Sequence, residues 1–384
     1  MAYGRKISPR PGSRCHDKQF TRTVHNSFVR VLHLDSGREW RGGQRQVYLL
    51  ALAQRERGDE PLVVAAPHSP LAGRLKTQGI ASATVAIRGD WDVIAMRRVR
   101  RLLSRWRPDI VHAHDAHGHA IALGALLGLG TPLIVTRRVP YPTRGWIKYG
   151  SRVTHFIAIS RAVADALGTS GVGADQCTVV YSGVPAPSVG TARDWRREAG
   201  WPAGTLLCGV VGAMTAEKGV ERLHAIAQFL APDLRRRLRL VLLGGAARGV
   251  DDFEGIPAYR AGFVDAIHEA MAGLDMLWHP SDAEGLGTAV IDAMALGVPP
   301  VTFATGGLAE VVQADQSGLL APPGDVRAFA HAVERLAIDA SLRARLSAGG
   351  KRRAAEFSVE RMVRGTAAVY ERVLAAHAAQ LIAS

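Results

Sequence analysis

Short apolar runs alternate along this chain with longer segments in which apolar residues recur at helical spacing. Most runs are followed by a polar loop and then by a helix-like segment, which is the order of a βα unit in a parallel sheet. The pattern predicts strands at residues 28–34, 62–65, 83–87, 132–136, 156–159, 178–181, 206–211, 240–243, 259–264, 276–278 and 301–303. The predicted fold class is therefore α/β, with open sheets whose ligands bind outside the carboxyl ends of the strands.

The length of the chain and its turn residues divide it into two halves. A chain of 384 residues exceeds one ordinary domain. Residues 186–192 contain Pro, Ser and Gly without periodicity and are expected to link a first domain at 28–187 to a second at 193–358, followed by a helix at 359–384. The basic segment 1–27 lacks the apolar core of a signal peptide, so we expect a disordered tail there.

The most informative stretch of the second half lies between a predicted strand and the helix that follows it. A polar loop ends at Glu284, and we expect a helix to start at Gly285 and to carry Gly287 and Thr288 in its first turn. Small residues there leave the free N–H groups of the helix open to an anion such as a phosphate. Glu284 and Asp292 flank that position, and carboxylates accept hydrogen bonds from sugar hydroxyls. The alternative is a helix-start acid beside a solvated surface acid.

The spacing of these two acids resembles the E-x7-E signature of the GT-B glycosyltransferases, in particular the retaining family 4, or group 1. Further positions that match the pattern are Gly285, Ala293, Met294, Ala295, Gly297 and Pro299, and a TGG turn with Glu310 follows in register. Asp292 departs from the family, which has the longer glutamate there. The resemblance implies two Rossmann-like doubly wound domains that face each other across a cleft, with the last helix packing back on the first domain.

The same resemblance assigns roles to the two domains. The first would bind a glycan or lipid-linked acceptor and the second a nucleoside-diphosphate sugar as co-substrate, with no metal ion and no other cofactor. The first acid of the motif would contact the donor sugar, the second the ribose, and the backbone after the strand at 259–264 the base. The implied catalytic residues are Glu284, His114 and Lys218, and the implied donor-binding residues are Gly42, Gly43, Gly212, Phe263, Val264, Gly285, Leu286, Gly287, Thr288 and Asp292.

A second departure concerns the positive charge that would hold the donor phosphates. The segment GAMTAEKG keeps Lys218 of the family's phosphate-binding turn, but Ala213 stands where the family has an arginine. Lys218 would then act alone, or an arginine from elsewhere would replace the missing one. Arg137 and Arg138 follow a predicted strand and are candidates for an acceptor or phosphate contact, because guanidinium groups bind such anions through paired hydrogen bonds. They could equally be a surface pair.

Four histidines follow another predicted strand, within residues 112–119. Alternating histidines can share a metal ion, but only Asp115 would add a further ligand, so we expect no metal. The family resemblance instead implies that His114, in an HxH position, reaches the donor sugar.

The net charge of the chain indicates which kinds of molecule it could bind. A net charge of +14 attracts anionic partners such as phosphorylated molecules or lipid surfaces. Residues 94–109 hold six arginines beside an apolar stripe of Val99, Leu102, Leu103 and Trp106. Such a helix can lie on an anionic membrane or pack its stripe on a sheet. We expect no nucleic acid as a partner, since no known binding module or interleaved aromatic residues accompany the arginines.

Cysteine usage bears on the compartment. Cys15, Cys177 and Cys208 are too few and too far apart for a disulfide framework or a zinc site. A reducing, cytoplasmic location is expected. The net charge of +14 further predicts peripheral association with the inner face of the membrane.

The assembled groups predict one type of chemistry. A phosphate-binding turn, two hydroxyl-binding acids and a histidine can stabilise a departing nucleoside diphosphate, which eases formation of an oxocarbenium-like sugar. Transfer to an acceptor hydroxyl in cell-surface polysaccharide or glycolipid synthesis is the predicted function. Two alternatives are a nucleotide-sugar epimerase of the same architecture, which needs no acceptor, and a basic nucleic-acid-binding protein.

Overall fold

The computed structural model describes residues 28–142, 150 and 152–383. The basic tail expected at residues 1–27 and most of a helix expected at 146–151 lie outside the described residues.

The first half of the chain forms a seven-stranded parallel sheet with the order β3-β2-β1-β4-β5-β6-β7. Helices bury the five inner strands, which are therefore mostly apolar, whereas the edge strands β3 and β7 are exposed or half-buried. The strands are β1 (Arg30–Leu34), β2 (Glu60–Ala65), β3 (Ser82–Thr84), β4 (Ile110–Ala113), β5 (Leu133–Arg137), β6 (His155–Ala158) and β7 (Cys177–Val179). The helices are α1 (Gly42–Glu56), α2 (Pro70–Thr77), α3 (Val93–Trp106), α4 (Ala116–Ala125) and α5 (Arg161–Thr169).

The second half forms a six-stranded sheet with the order β10-β9-β8-β11-β12-β13. The strands are β8 (Leu206–Val211), β9 (Leu238–Phe253), β10 (Ile256–Gly262), β11 (Met276–His279), β12 (Pro300–Phe303) and β13 (Leu319–Ala321). The helices are α6 (Trp195–Glu198), α7 (Arg222–Phe229), α8 (Pro232–Arg237), α9 (Ile267–Ala272), α10 (Thr288–Leu296), α11 (Leu308–Val311), α12 (Val326–Ile338) and α13 (Ala340–Ala354). The prediction of two Rossmann-like doubly wound sheets is therefore confirmed.

In both sheets the strand order reverses beside the first strand. In the first sheet β1 lies between β2 and β4, and in the second β8 lies between β9 and β11. Connections on the two sides of such a point leave in opposite directions, so a crevice opens at the carboxyl ends of those strands. The loops that follow β1, β4, β8 and β11 therefore lie at this crevice.

The last helix, α14 (Val359–Ala383), leaves the second half and packs on the first. Its buried residues Met362, Val369 and Tyr370 lie in one apolar cluster with Val31 of β1 and Ile134 of β5. The cluster ties the end of the chain to the sheet of the first half. Among the described residues no helix has both the length and the apolar character needed to cross a bilayer.

Two elements differ in their bounds from the sequence predictions, and β13 was not among the predicted strands. The strand expected at 240–243 continues through Gly244 and Gly245 as β9, because glycine accepts their positive φ angles of 126° and 74°. The second part of β9 then folds back, so that Ala258 of β10 pairs with both Leu240 and Asp251. The helix expected to start at Gly285 begins at Thr288, because Gly287 adopts a left-handed conformation with φ of 88°.

The arginine-rich helix packs its apolar stripe on the protein. Val99 and Leu103 of α3 are buried, and Leu102 and Trp106 are partly buried against the same core. The stripe itself is therefore not available to a membrane.

Candidate active site

Glu284 lies at the centre of the crevice loops of the second half. Its carboxylate forms an ion pair with Nζ of Lys218 and accepts a 3.2 Å hydrogen bond from Nε2 of His279. Burial alone would raise the pKa of Glu284, but the hydrogen bonds and charges of His279 and Lys218 together lower this pKa to about 2. Glu284 is thus an ionised carboxylate at neutral pH, and an ionised carboxylate only accepts hydrogen bonds.

Interlocking loops fix the position of this carboxylate. The N–H of Gly307 donates a 2.9 Å hydrogen bond to the carbonyl of Glu284, and Oγ1 of Thr305 donates one of 3.0 Å to the carbonyl of Ser281. A β-carbon at Gly306 would overlap the backbone of Glu284. The TGG turn noted in the sequence is therefore the support on which the acidic loop lies.

Glycines bring the two halves of the protein into contact beside Glu284. A β-carbon at Gly42 would lie 3.5 Å from Oγ1 of Thr288, and one at Gly43 would lie 3.6 Å from Cδ of Arg138. A β-carbon at Gly285 would overlap the backbone carbonyl of Arg138. The structure thus brings together four predicted donor-binding positions and Arg138 of the candidate arginine pair at one meeting point.

The start of α10 presents backbone groups at this meeting point. No side chain caps the helix. The first N–H groups of an α-helix have no partner within the helix, so they can donate hydrogen bonds to an anion. The side chain of Leu286 is buried, so only its backbone can face the crevice.

The turn after β8 carries Lys218 to Glu284. Gly212 has a φ of 155°, and a β-carbon there would lie 3.6 Å from Cγ of Lys218. Met214, next to the departure at Ala213, has a positive φ of 50°, and a β-carbon at Gly245 of β9 would lie 3.1 Å from its Cγ. The lysine side chain therefore passes close to Gly212 at the end of β8.

Asp292, the second acid of the motif, is buried and bound on two sides. Arg45 of α1 donates to both carboxylate oxygens, one hydrogen bond measuring 3.1 Å, and Nε2 of His268 lies 2.9 Å from Oδ1. Burial opposes ionisation, but His268 and Arg45 lower the pKa of Asp292. Because Arg45 comes from the first half, this pair also holds the halves together.

The expected base-binding positions lie at the same edge. Gly262 pairs with Leu243 and Gly244 at the carboxyl end of the first part of β9, and Phe263 and Val264 follow it directly. The side chain of Phe263 is 53% exposed, whereas Val264 is partly buried against the core.

The two arginines at the end of β5 have different hydrogen-bond partners. Nη2 of Arg137 donates a 3.2 Å hydrogen bond to the carbonyl of Tyr141 within its own loop. Nη2 of Arg138 lies 3.4 Å from Nδ1 of His114, and burial lowers the pKa of Arg138 to about 10 despite the nearby carboxylates of Asp35 and Asp115. Of the pair, Arg138 is the one directed toward the crevice.

His114 is buried and lies among other histidines. Its Nε2 is 2.9 Å from Nδ1 of His33, and donor atoms of His33, His112 and His114 lie within 4.8 Å of one another. This spacing could fit a metal ion, but hydrogen bonds engage the ring nitrogens of all three, and burial lowers the pKa of each.

Two family models match the chain. The model described as Glycosyltransferase Family 4 matches residues 40–186, and that described as Glycosyl transferases group 1 matches residues 205–339. The glycogen synthase of Mycobacterium tuberculosis is 32% identical over 69% of this chain and 69% of its own length. The chain belongs to the group 1 glycosyltransferases. It is a GT-B enzyme whose matched regions contain the crevice loops of each half.

Other similar proteins support the fold and the class of reaction of this glycosyltransferase. The D-inositol 3-phosphate glycosyltransferase of Stackebrandtia nassauensis is 35% identical over 48% of this chain. The match covers 46% of that relative, so this chain spans about half of its length. The 2-deoxystreptamine glucosyltransferase of Streptomyces kanamyceticus is 28% identical over 90% of this chain and 98% of its own. The crystal structure of Anabaena Alr3699/HepE with UDP-glucose has a TM-score of 0.77 at 20% identity, covering 89% of this chain and 99% of that chain.

Three polar side chains of the glycosyltransferase site were not assigned roles from the sequence. His279 stands five residues before Glu284, and its place at a strand end was the one signal that could have identified it. Arg45 and His268 bind Asp292 from distant parts of the chain. Neither has a local sequence pattern that points to this partner.

Proposed function

We propose that this glycosyltransferase is a retaining enzyme that moves a sugar from a nucleoside diphosphate to a hydroxyl group of a glycan or lipid-linked acceptor. The single observation that carries the proposal is the meeting of Glu284 and Lys218 with Gly285, Gly43 and Arg138 across the crevice. Positive groups, free helix amides and an ionised acid within one crevice match the chemistry of a sugar diphosphate.

The proposed donor site uses both halves. Lys218, Arg138 and the amides at the start of α10 bind the two phosphates, with Gly42 and Gly43 allowing their close approach. Glu284 accepts hydrogen bonds from the sugar hydroxyls, and Asp292 accepts them from the ribose. The backbone at 263–264 contacts the base, and His114 supports the sugar side of the crevice. The Anabaena protein solved with UDP-glucose supports a nucleotide sugar as the donor.

The proposed chemistry follows from the placement of charge. The bond between the anomeric carbon and the diphosphate oxygen breaks, and the positive groups stabilise the negative charge that develops on the departing diphosphate. The acceptor oxygen forms the new bond on the same face of the sugar, and its proton passes to a diphosphate oxygen. Contact between the halves excludes water, which would otherwise compete with the acceptor. No step requires a metal ion or a further cofactor.

The acceptor is proposed to bind at the crevice face of the first half. Tyr141 lies there, 47% exposed, and burial and the negative charges of Glu217, Glu284 and Asp282 raise its pKa. Relatives named for inositol phosphate and deoxystreptamine substrates support a ring-shaped acceptor rich in hydroxyl groups.

An anionic membrane surface is proposed as the place where a lipid-linked acceptor is met. Trp91, Val93 and Ile94, before and within the first turn of α3, are 81%, 53% and 60% exposed. The exposed residues Arg97 and Arg98 follow in the same helix. Apolar side chains beside arginines suit an interface of acyl chains and acidic headgroups. A role in cell-surface polysaccharide or glycolipid synthesis follows from this proposal.

Product analysis tests the proposed function. The protein is incubated with UDP-, GDP- and ADP-sugars, each with and without a mixture of lipid-linked and cyclitol acceptors. We expect one donor to be consumed at least tenfold faster with acceptor present, and the new linkage to keep the anomeric configuration of the donor. Consumption at the same rate without acceptor, with an altered free nucleotide sugar as product, would instead identify an epimerase.

A further inference from the structure

A buried line of hydrogen bonds leads from the crevice into the first half. It starts at Arg138, whose Nη2 lies 3.4 Å from Nδ1 of His114. Nε2 of His114 lies 2.9 Å from Nδ1 of His33, and Nε2 of His33 lies 2.8 Å from Oε1 of Gln54 on α1. The imidazoles and the Gln54 side chain are buried, so water does not offer them alternative partners.

The line continues to the last helix and returns to the sheet. Nε2 of Gln54 lies 3.5 Å from the hydroxyl of Tyr370 on α14. That hydroxyl lies 2.6 Å from Nδ1 of His112, and Nε2 of His112 lies 2.7 Å from Oγ1 of Thr136. Residues from β1, α1, β4, β5 and α14 are thus joined in one network.

The arginine at one end fixes the direction of every bond. A guanidinium only donates, so Nδ1 of His114 must accept and its proton must be on Nε2. His114 therefore donates to His33, and His33 donates in turn to the carbonyl oxygen of Gln54. The amide nitrogen of Gln54 then donates to the hydroxyl of Tyr370, which donates to His112. The reverse direction would place an N–H of His114 against an N–H of Arg138.

The charge state of the rings agrees with this arrangement. Burial lowers the pKa of His33 to about 4. Burial, followed by the neighbouring histidines and then by Arg138, lowers the pKa of His112 and His114. Each ring is neutral at pH 7 and holds one proton, which is the number that a directed line of hydrogen bonds requires.

We propose that Gln54 and Tyr370 are positioning residues that hold His114 as its Nε2–H tautomer and thereby aim Arg138 at the phosphates of the donor. This proposal rests on the proposed function, which identifies the ligand as a nucleoside-diphosphate sugar. It assigns α14 a role beyond packing, because the last helix supplies one of the two side chains.

The crevice end of the line has a free donor. Nε of Arg138 is buried and has no hydrogen-bond partner among the described residues. The Arg138 side chain lies against Gly43, and its backbone carbonyl lies against Gly285, the residue directly after Glu284. An unmet donor costs free energy in a buried position unless a ligand satisfies it, and phosphate oxygens are suitable acceptors. A correctly directed His114 keeps Nη2 engaged and leaves Nε for the ligand.

Two variants break the line at different points. Gln54→Met removes the acceptor for His33, and Tyr370→Phe removes the hydroxyl that joins Gln54 to His112. Val369→Ala is the matched control, because Val369 is buried on the same helix but takes no part in the line. Each protein is labelled with 15N-histidine to read the tautomer of His114 by NMR. KM for the donor and kcat are measured on the same samples.

We expect Gln54→Met to give a mixture of His114 tautomers and to raise KM for the donor about 5–10-fold, the loss of roughly one hydrogen bond, with a smaller change in kcat. Tyr370→Phe should shift both quantities in the same direction, whereas Val369→Ala should change only the melting temperature. In an Arg138→Ala background Gln54→Met should have no further effect on KM, since coupled residues do not act additively.

Three results would overturn the proposal. These are a wild-type His114 with its proton on Nδ1, an unchanged tautomer in Gln54→Met, and a Val369→Ala protein whose KM rises as much as that of Gln54→Met. A wild-type protein that binds no nucleotide sugar would refute the proposed function instead, and the NMR result would still decide whether the line has the stated direction.

Discussion

Arg45 of the first half and Asp292 of the second, 247 positions apart in sequence, form an ion pair in which the aspartate side chain is 3% exposed and the arginine side chain 18% exposed. Exposed ion pairs contribute little to stability, but removing one partner of a buried pair leaves a charge in a medium that solvates it poorly. The contact between the two halves therefore depends in part on the carboxylate of Asp292, which belongs to the proposed donor site.

Replacing Arg45 tests how much this ion pair contributes to the free energy of unfolding. Arg45→Met should lower the free energy of unfolding by about 2–4 kcal/mol, because Asp292 then keeps only His268 as a partner. Arg41→Met is the control, since Arg41 is exposed and pairs with the exposed Glu39. Urea denaturation followed by circular dichroism measures both. Equal stability of the two variants would show that the pair is not a structural link.

Much of the fold was predictable because it depends on local patterns. The sequences of buried parallel strands are runs of apolar residues, so most strands of both sheets were located from the sequence. The second part of β9 was not, since residues 249–253 (GVDDF) carry polar side chains on a hairpin rather than in a buried strand. The start of α10 was misplaced because Gly287, where a β-carbon would overlap Leu308, has a left-handed conformation that the sequence alone does not indicate.

The candidate site was predictable only in part. Glycines and acids at fixed spacing carry the motif, but Arg45 and His268 approach Asp292 from elements that only the tertiary fold brings together. The histidine cluster was visible in the sequence, whereas its connection to Gln54 and Tyr370 required the docking of α14 on the first sheet.

The ionisation of Glu284 predicts a dependence of stability on pH. Its pKa of about 2 in the folded protein lies below the ordinary value of 4.5. The resulting stability is therefore fully present above about pH 4.5 and is lost as the pH falls toward 2. The difference in free energy of unfolding between wild type and Glu284→Gln should stay constant from about pH 8 to 5 and then fall by about 2–3 kcal/mol.

Denaturant titrations at several pH values measure this difference. Glu39→Gln is the control for loss of one acid, because the Glu39 side chain is 69% exposed. A difference that did not change between neutral pH and pH 3 would show that Lys218 and His279 do not hold the carboxylate in its ionised form.

Gly285 should be sensitive to substitution because it lies against the backbone of Arg138 in the other half of the protein. An alanine β-carbon would overlap the carbonyl of Arg138, although the backbone of Gly285 itself does not have a positive φ. Gly285→Ala should therefore keep the halves slightly apart and lower kcat/KM about 100-fold, with little effect on unfolding. Gly204→Ala, whose β-carbon would meet no atom within 4 Å, should behave as wild type. Unaltered kinetics of Gly285→Ala would mean that this contact is absent from the active form.

Exposed apolar side chains at α3 predict binding to acidic lipid. The double variant Trp91→Ala with Ile94→Ala should sediment at least fivefold less with vesicles of phosphatidylglycerol, since each side chain loses apolar burial of roughly 1.5 kcal/mol or more. Phe229→Ala, which removes an exposed aromatic ring from the second half, should sediment as wild type does. Equal sedimentation of the double variant and wild type would leave α3 without a role at the membrane.

Calorimetric titration with nucleoside diphosphates tests the central claim, that Lys218 and Arg138 hold the diphosphate of the donor between the two halves. Wild-type protein should bind at least one of UDP, GDP and ADP, and Lys218→Ala and Arg138→Ala should each weaken that binding at least tenfold, a loss of about 1.4 kcal/mol. The exposed Lys76→Ala variant should bind as wild type does. Folded Lys218→Ala and Arg138→Ala proteins that bind the same nucleotide with wild-type affinity would contradict the account.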